Sequence, residues 1–328
     1  MTGDSNEPSS GIFPVVLILA GTTASGKTDV SIPLAESLKG EILSADSRQI
    51  FREMRIGTAK PTESQRKRVP HHFIDEKSIS ERWTAGDFAR SARERIEEII
   101  SRERTPIVVG GSMLYLRALV DGFYREDSEN PADYTSLREE AERVGLETLY
   151  TELQERDPAL AARTNPNDGH RILRGLLVCR IRGVRLSDLQ DRPREPIARP
   201  FRTYFLHGDR RETYERTDRR VLDMMREGLI EEVRGILELG FDERACNALR
   251  THGYQEIFPY LRGEISRERM IVDVQKAVRH YVKRQMTWFR REPRVTWIRR
   301  EFSEPAEAVA ARIEADFQTY TERYLNMP

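Results

Sequence analysis

Eight residues, Gly21-Thr22-Thr23-Ala24-Ser25-Gly26-Lys27-Thr28, place two glycines, a lysine and a hydroxyl in the spacing GxxxxGK[ST]. That spacing cradles a phosphate: the glycines let successive backbone N–H groups face one anion, and the helix that follows adds the partial positive charge of its N-terminus. Lys27 supplies a point charge, and the Thr28 hydroxyl is a ligand for Mg²⁺. A nucleoside triphosphatase of this type also carries an Asp at the end of a second strand. Here the matching run, Pro106-Ile107-Val108-Val109, ends in Gly110-Gly111-Ser112, which weakens an ATPase reading. The carboxylate nearest the required place is Asp46, in Leu43-Ser44-Ala45-Asp46-Ser47-Arg48-Gln49. Two roles stay open for it on spacing alone. It is a metal-linked acid or general base at the sheet edge where ligands collect, or an N-cap for a short helix over Ser47–Phe51.

The elements that must hold these groups are readable from hydrophobic periodicity. Val15–Ala20 is a short apolar run ending at Gly21 and predicts a buried strand, followed by a helix over Lys27–Leu38. Glu41–Ser44 predicts a second strand, and Thr84–Arg104 an amphipathic helix capped by Thr84, with Asp87 as its capping-box partner. Ile107–Val109 predicts a third strand. Strands alternating with helices imply a parallel sheet covered on both faces. Strand signal then fades until Thr203–Leu206 and Val295–Ile298. The expected organisation is a disordered tail over 1–13, a P-loop NTPase-like α/β domain over 14–124 and 201–328, and a mostly helical insertion over 125–200.

Composition narrows the function classes. The 328 residues carry 54 Lys+Arg and 54 Asp+Glu, so the formal net charge is zero and a uniformly basic nucleic-acid coat is excluded. The zero is a sum of opposed blocks. Glu126–Asp157 is strongly acidic, whereas Arg163–Arg220 and Lys276–Arg300 are basic and offer candidate nucleic-acid surface. Only Cys179 and Cys246 occur, too few for a disulfide framework or a zinc site of the CxxC type. With a mean hydropathy of −0.63 and no apolar run approaching the roughly 20 residues of a membrane span, no membrane association is expected. The polar leader fits neither a secretory signal nor an Arg-rich transit peptide, so the expected location is the cytoplasm.

Taken together, Gly21–Thr28, Asp46-Ser47-Arg48-Gln49-Ile50-Phe51, Ile56-Gly57-Thr58-Ala59-Lys60-Pro61 and Gly110-Gly111-Ser112-Met113-Leu114-Tyr115 resemble the tRNA dimethylallyltransferase (tRNA isopentenyltransferase) family. Asn165-Pro166-Asn167-Asp168 with Arg171, the pair Gly253-Tyr254, and Lys283-Arg284-Gln285-Met286-Thr287-Trp288 extend the resemblance to about residues 14–300. The chain departs from the family pattern at Thr22, usually Pro, at Phe51, usually Tyr, and at Ser112, usually Thr. Two cysteines exclude the C-terminal zinc finger of animal and fungal relatives, so the resemblance is to a bacterial form.

That resemblance implies transfer of a dimethylallyl group from dimethylallyl diphosphate, with Mg²⁺, to N6 of adenosine 37 in the tRNA anticodon stem-loop, by a monomer. It implies that Asp46 is the base, that Thr23 lies near the diphosphate and that Arg220 contacts it. For tRNA it implies Asp46, Ser47, Arg48, Gln49 and Ser112, then His170, Arg171, Ile172, Leu173 and Arg174, with Arg250, Gly253, Tyr254 and Arg284 as further candidates. The departing charge is a diphosphate and no γ-phosphate moves, which accounts for the absent strand-end Asp. His71, His72, His207, His252 and His280 show no ligand spacing and are expected on the surface or in the core, as are Trp288 and Phe289. Two other readings share the loop: a kinase of a nucleotide or small metabolite, and a non-catalytic RNA-binding protein.

Overall fold

Val16–Gly21 is apolar along its whole length because both its faces and both its edges are covered. This strand, β1, is fully buried and lies near the middle of a six-stranded sheet of order β3-β2-β4-β1-β5-β6. The other strands are β2 (Gly40–Ser44), β3 (His71–His72), β4 (Thr105–Gly110), β5 (Phe201–His207) and β6 (Val295–Arg299). Every pairing is parallel, with Leu17 opposite Ile107 on one side of β1 and Ile18 opposite Thr203 on the other. The computed structural model describes residues 15–123, 131–192, 194–243 and 246–326; the tail expected over 1–13 lies outside them.

The helices, in chain order, are α1 (Lys27–Ser37), α2 (Glu63–Arg68), α3 (Ala85–Ser101), α4 (Met113–Asp121), α5 (Pro131–Val144), α6 (Leu146–Arg156), α7 (Pro158–Ala161), α8 (Gly169–Arg182), α9 (Leu186–Gln190), α10 (Arg210–Arg226), α11 (Leu229–Glu238), α12 (Phe258–Leu261), α13 (Arg267–Phe289) and α14 (Ala306–Leu325). Helix α3 starts where the sequence places it. Thr84 accepts from the Asp87 amide, and Asp87 accepts from the Thr84 amide, so both halves of the capping box are made. One core cluster packs Leu17 and Leu19 of β1 with Val30 and Leu34 of α1 and with Ile313 and Phe317 of α14.

The chain forms two compact units, Met1–Val120 with Ile197–Pro328, and Asp121–Pro196. The insertion thus begins and ends about four residues earlier than the sequence reading placed it. The cause is local: the Ile197 amide donates to the Leu119 carbonyl (2.9 Å), fastening the returning chain to the first unit ahead of β5. The second unit is helical, α5 to α9, around its own core of Leu149, Leu153, Ile172, Leu176 and Leu189. Asp157 is buried there with a full set of donors, accepting from the Leu160 and Ser187 amides and the Ser187 hydroxyl. The strand β3 has no counterpart in the sequence reading, since a two-residue edge pairing carries no periodicity.

Candidate active site

The strand-to-helix turn after β1 takes the left-handed conformation at Ala24 (φ 62°) and Gly26 (φ 81°), the backbone form of an anion-binding turn. Close approach fixes the glycines. A Cβ at Gly21 would stand 2.6 Å from the Leu206 carbonyl oxygen, and one at Gly26 1.8 Å from Nη1 of Arg300. Arg300 is buried and donates to the carbonyls of Ser25 (3.4 Å) and Gly26 (3.2 Å), while Arg216 donates to that of Ala24 (3.3 Å) and lies 4.1 Å over the Phe302 ring. Two loop amides are committed to the protein, that of Thr23 to the Gln285 side chain (2.9 Å) and that of Ser25 to the Thr22 carbonyl (3.2 Å), so the cradle falls to the remaining amides at the start of α1. Lys27 Nζ donates to the carbonyls of Gly21 (2.9 Å) and Thr22 (2.7 Å). Burial, helped by the nearby Arg220 and opposed by Asp46, brings its pKa down to about 7. The hydroxyls of Thr22 and Ser25 are buried without a hydrogen-bond partner among the described residues.

Asp46 stands just past β2, facing the same cleft. Its Oδ1 accepts from the amides of Arg48 (2.9 Å) and Gln49 (3.4 Å). The segment it caps is a turn over residues 47–50 and not the short helix expected there. Both readings of Asp46 therefore have a physical basis, because one carboxylate oxygen orders the turn and no described residue bonds Oδ2. The turn is fixed further by the Ser47 amide, which donates to the Ser112 hydroxyl (3.0 Å). Gln49 is committed to the protein: its Oε1 accepts from Ser44 (2.8 Å), and its Nε2 donates to the Thr58 (3.2 Å) and Ala59 (3.4 Å) carbonyls.

Helix α10 sends Arg220 into the cleft, where burial lowers its pKa against the pull of Asp46. Arg219 is exposed, and Asp218 is paired with Arg279 of α13 (2.5 Å). From α13 also come Tyr281, stacked on His252 at 4.2 Å, and Arg284, 5.5 Å over the Tyr281 ring. These groups enclose a cleft of about 930 Å³ whose walls are the P-loop, the Asp46 turn, the Gly110–Ser112 turn and α10 and α13, all within the first unit. Anion cradle, cations and carboxylate thus share one space.

The IPP transferase family model matches residues 49–292, a span that begins after both the P-loop and Asp46 and so is independent of them. Among relatives, the tRNA dimethylallyltransferase of Koribacter versatilis is 40% identical over 289 residues, 87% of this chain and 93% of its own length. The tRNA dimethylallyltransferase 1 of Syntrophotalea carbinolica is 42% identical over 288 residues, 87% of this chain and 91% of its own. The chain belongs to the IPP transferase family. Its structure is similar to that of the tRNA isopentenylpyrophosphate transferase from Bacillus halodurans, with TM-score 0.69 and 32% identity over 96% of this chain and 100% of that one. A eukaryotic dimethylallyltransferase acting on tRNA gives TM-score 0.74 at 26% identity, over 93% of this chain and 79% of that one. The fold is accordingly P-loop NTPase-like, and the enzyme is of the prenyl-transferring class.

Within this family frame the structure sorts the sequence-derived residues. Gly21–Thr28, Asp46–Gln49, Ser112, Arg220, Arg250, Gly253, Tyr254 and Arg284 belong to the first unit, and all but Gly21, Thr22 and Ser25 of them line the cleft. His170–Arg174 lie on α8 of the second unit. His170 and Arg171 are exposed there, but Ile172 (0% exposed) and Leu173 (6%) are core residues, so their expected contact with tRNA is corrected. Apolar side chains buried at helical spacing hold α8 in its own unit and leave the polar neighbours to face outward. Tyr254 is corrected in part: its ring is 1% exposed and its hydroxyl donates to Glu232 (2.7 Å), which makes it wall before contact. Phe289 packs against Phe205 as a core residue, the rings tilted at 39° with centroids 4.4 Å apart. Sequence reasoning missed Tyr281, Arg216 and Arg300, whose places depend on contacts between distant segments, and left His252 as a surface or core residue. Gln285 was visible only as one letter of a motif.

Proposed function

We propose that this chain transfers the dimethylallyl group from dimethylallyl diphosphate to N6 of adenosine 37 in the anticodon stem-loop of tRNA, forming N6-isopentenyladenosine. One observation carries the reading: a phosphate-binding loop, the half-buried Lys27 and Arg220 and a carboxylate with one oxygen to spare line a single cleft. The allylic C–O bond breaks and its electron pair leaves on the diphosphate, while the adenine nitrogen bonds to the allylic carbon and gives up its proton to Asp46. Adenine N6 is a weak nucleophile because its lone pair is delocalised into the ring, so a positioned base is required. The P-loop amides, Lys27 and Arg220 stabilise the charge that grows on the leaving group, and Thr23 sits beside it. Among the described residues no cluster of three or more His, Cys, Asp or Glu could hold a bare metal. Mg²⁺ characteristically takes one or two protein oxygens and completes its shell with substrate phosphates and water. Thr28 at the start of α1 fits that pattern and would hold a Mg²⁺ that arrives with the diphosphate, supplying further charge neutralisation there. The target base must leave its stack to enter the cleft; Arg48, Arg250 and Arg284 at its walls and Arg171 and Arg174 on α8 suit the RNA backbone and loop.

Incubation of the chain with labelled dimethylallyl diphosphate, Mg²⁺ and unmodified tRNA carrying A36-A37 tests this. Label is expected in the RNA. Consumption of ATP with no label transferred would replace the reading with that of a kinase.

A further inference from the structure

Gln285 reaches the cleft from α13 with a side chain that is 1% exposed. Its Oε1 accepts from the Thr23 amide (2.9 Å), and its Nε2 donates to the Gly111 carbonyl (3.0 Å). The two ends of the amide cannot be exchanged, since an N–H faces one and a C=O the other. Gly111 is shaped to this contact: a Cβ there would lie 2.3 Å from Nε2. One helical turn earlier, the Tyr281 hydroxyl donates to the same Gly111 carbonyl (3.3 Å). The next residue, Ser112, accepts from the Ser47 amide, which adjoins Asp46. A single buried amide therefore joins the P-loop, at the leaving-group end of the cleft, to the Gly111–Ser112 turn, which in its turn holds the segment that carries the carboxylate.

We propose that Gln285 is a positioning residue for prenyl transfer, setting the distance between the P-loop at Thr23 and the Gly111–Ser112 turn that fixes Asp46. The inference rests on the proposed function in one respect, that P-loop and carboxylate act on opposite ends of one displacement. In such a reaction the breaking bond, the forming bond and the proton acceptor must be aligned together, and a misplacement of about 1 Å costs about a hundredfold in rate. The P-loop amide of Thr23 is turned to Gln285, so this contact fixes the backbone at Thr23.

Steady-state kinetics on the full chain with Gln285→Met and Gln285→Glu test the proposal. Methionine keeps the volume but neither accepts from Thr23 nor donates to Gly111. The expected result is a kcat lower by about a hundredfold, with KM for dimethylallyl diphosphate and Kd for tRNA within about threefold of native. Glutamate keeps the acceptor and loses the donor when ionised, so the ratio of its kcat to the native value should rise as the pH is lowered and the acid regains its proton. Hydrogen exchange supplies a readout apart from activity: the Thr23 amide should exchange faster in Gln285→Met. Native kcat in the methionine variant, a loss confined to KM, a pH-independent ratio for the glutamate variant, or unchanged exchange at Thr23 would each overturn the proposal. A native chain that transfers no prenyl group would defeat the functional reading instead, and exchange at Thr23 would still decide whether Gln285 holds the P-loop.

Discussion

In the proposed reaction Asp46 divides its two carboxylate oxygens between architecture and chemistry, and that division has a measurable signature. Asp46→Asn retains an oxygen to cap Arg48 and Gln49 but cannot take a proton, so turnover should fall by about a hundredfold or more while tRNA affinity is retained in a filter-binding assay; unchanged turnover would remove Asp46 as base. His252 offers a second test. Enclosure in the cleft, and then the charges of Arg284 and Arg48, lower its pKa to about 4. The folded chain keeps this ring neutral where the unfolded chain, with a pKa near 6.5, takes up a proton. Its contribution to stability is therefore whole above about pH 6.5 and is lost as the pH falls toward 4. Urea unfolding of His252→Gln should show a shallower decline over that window than native; parallel declines would mean that the ring is not neutral when folded. Neither role is legible in sequence to the same degree. Asp46 was narrowed to two readings by its place after a strand, whereas His252 was read only as a surface or core residue, because its stacking partner Tyr281 comes from a remote helix.

At the scale of elements, Glu232 of α11 does for the 55–57 loop what a helix cap does for a helix end. Its carboxylate accepts from the amides of Arg55 (3.0 Å), Ile56 (2.8 Å) and Gly57 (3.5 Å) as well as from the Tyr254 hydroxyl. A Cβ at Gly57 would lie 2.4 Å from the Tyr254 ring, so loop and wall are fitted to each other. Glu232→Ala strands these donors and should cost about 1–3 kcal/mol, read as a lower midpoint in urea, with a weakened hold on Gln49 through Thr58 and Ala59. A midpoint equal to native would show that water replaces the carboxylate without loss. Strands β1, β2 and β4 were legible because each holds a short apolar run, continuous through β1 and centred on Ile42-Leu43 and Ile107-Val108-Val109 in the other two, and α3 because its capping box is written in Thr84 and Asp87. The family motif Ile56–Pro61 was legible as a string but not as a structure, since Glu232, which shapes it, lies 176 residues from Ile56, and Tyr254 lies further still. Gln285 was hidden for the same reason, at a separation of 262 residues from Thr23.

For the whole molecule, zero net charge conceals segregated blocks, and tRNA binding should report the basic ones. If Arg171 contacts a phosphate, Arg171→Ala should weaken binding for all tRNAs alike and make the slope of log Kd against log salt shallower by about one; an unchanged slope would place that arginine off the RNA. The sheet order has a consequence for how the chain is made. Strand β1 pairs with β4 on one edge and β5 on the other, and β5 is encoded only after the entire helical insertion. At about 5–20 residues per second, β1 leaves synthesis roughly ten to forty seconds before its second partner exists. Until then one edge of the most apolar strand in the protein is open, which makes the nascent chain a client for chaperones and its most aggregation-prone moment the one just before Phe201–His207 arrives.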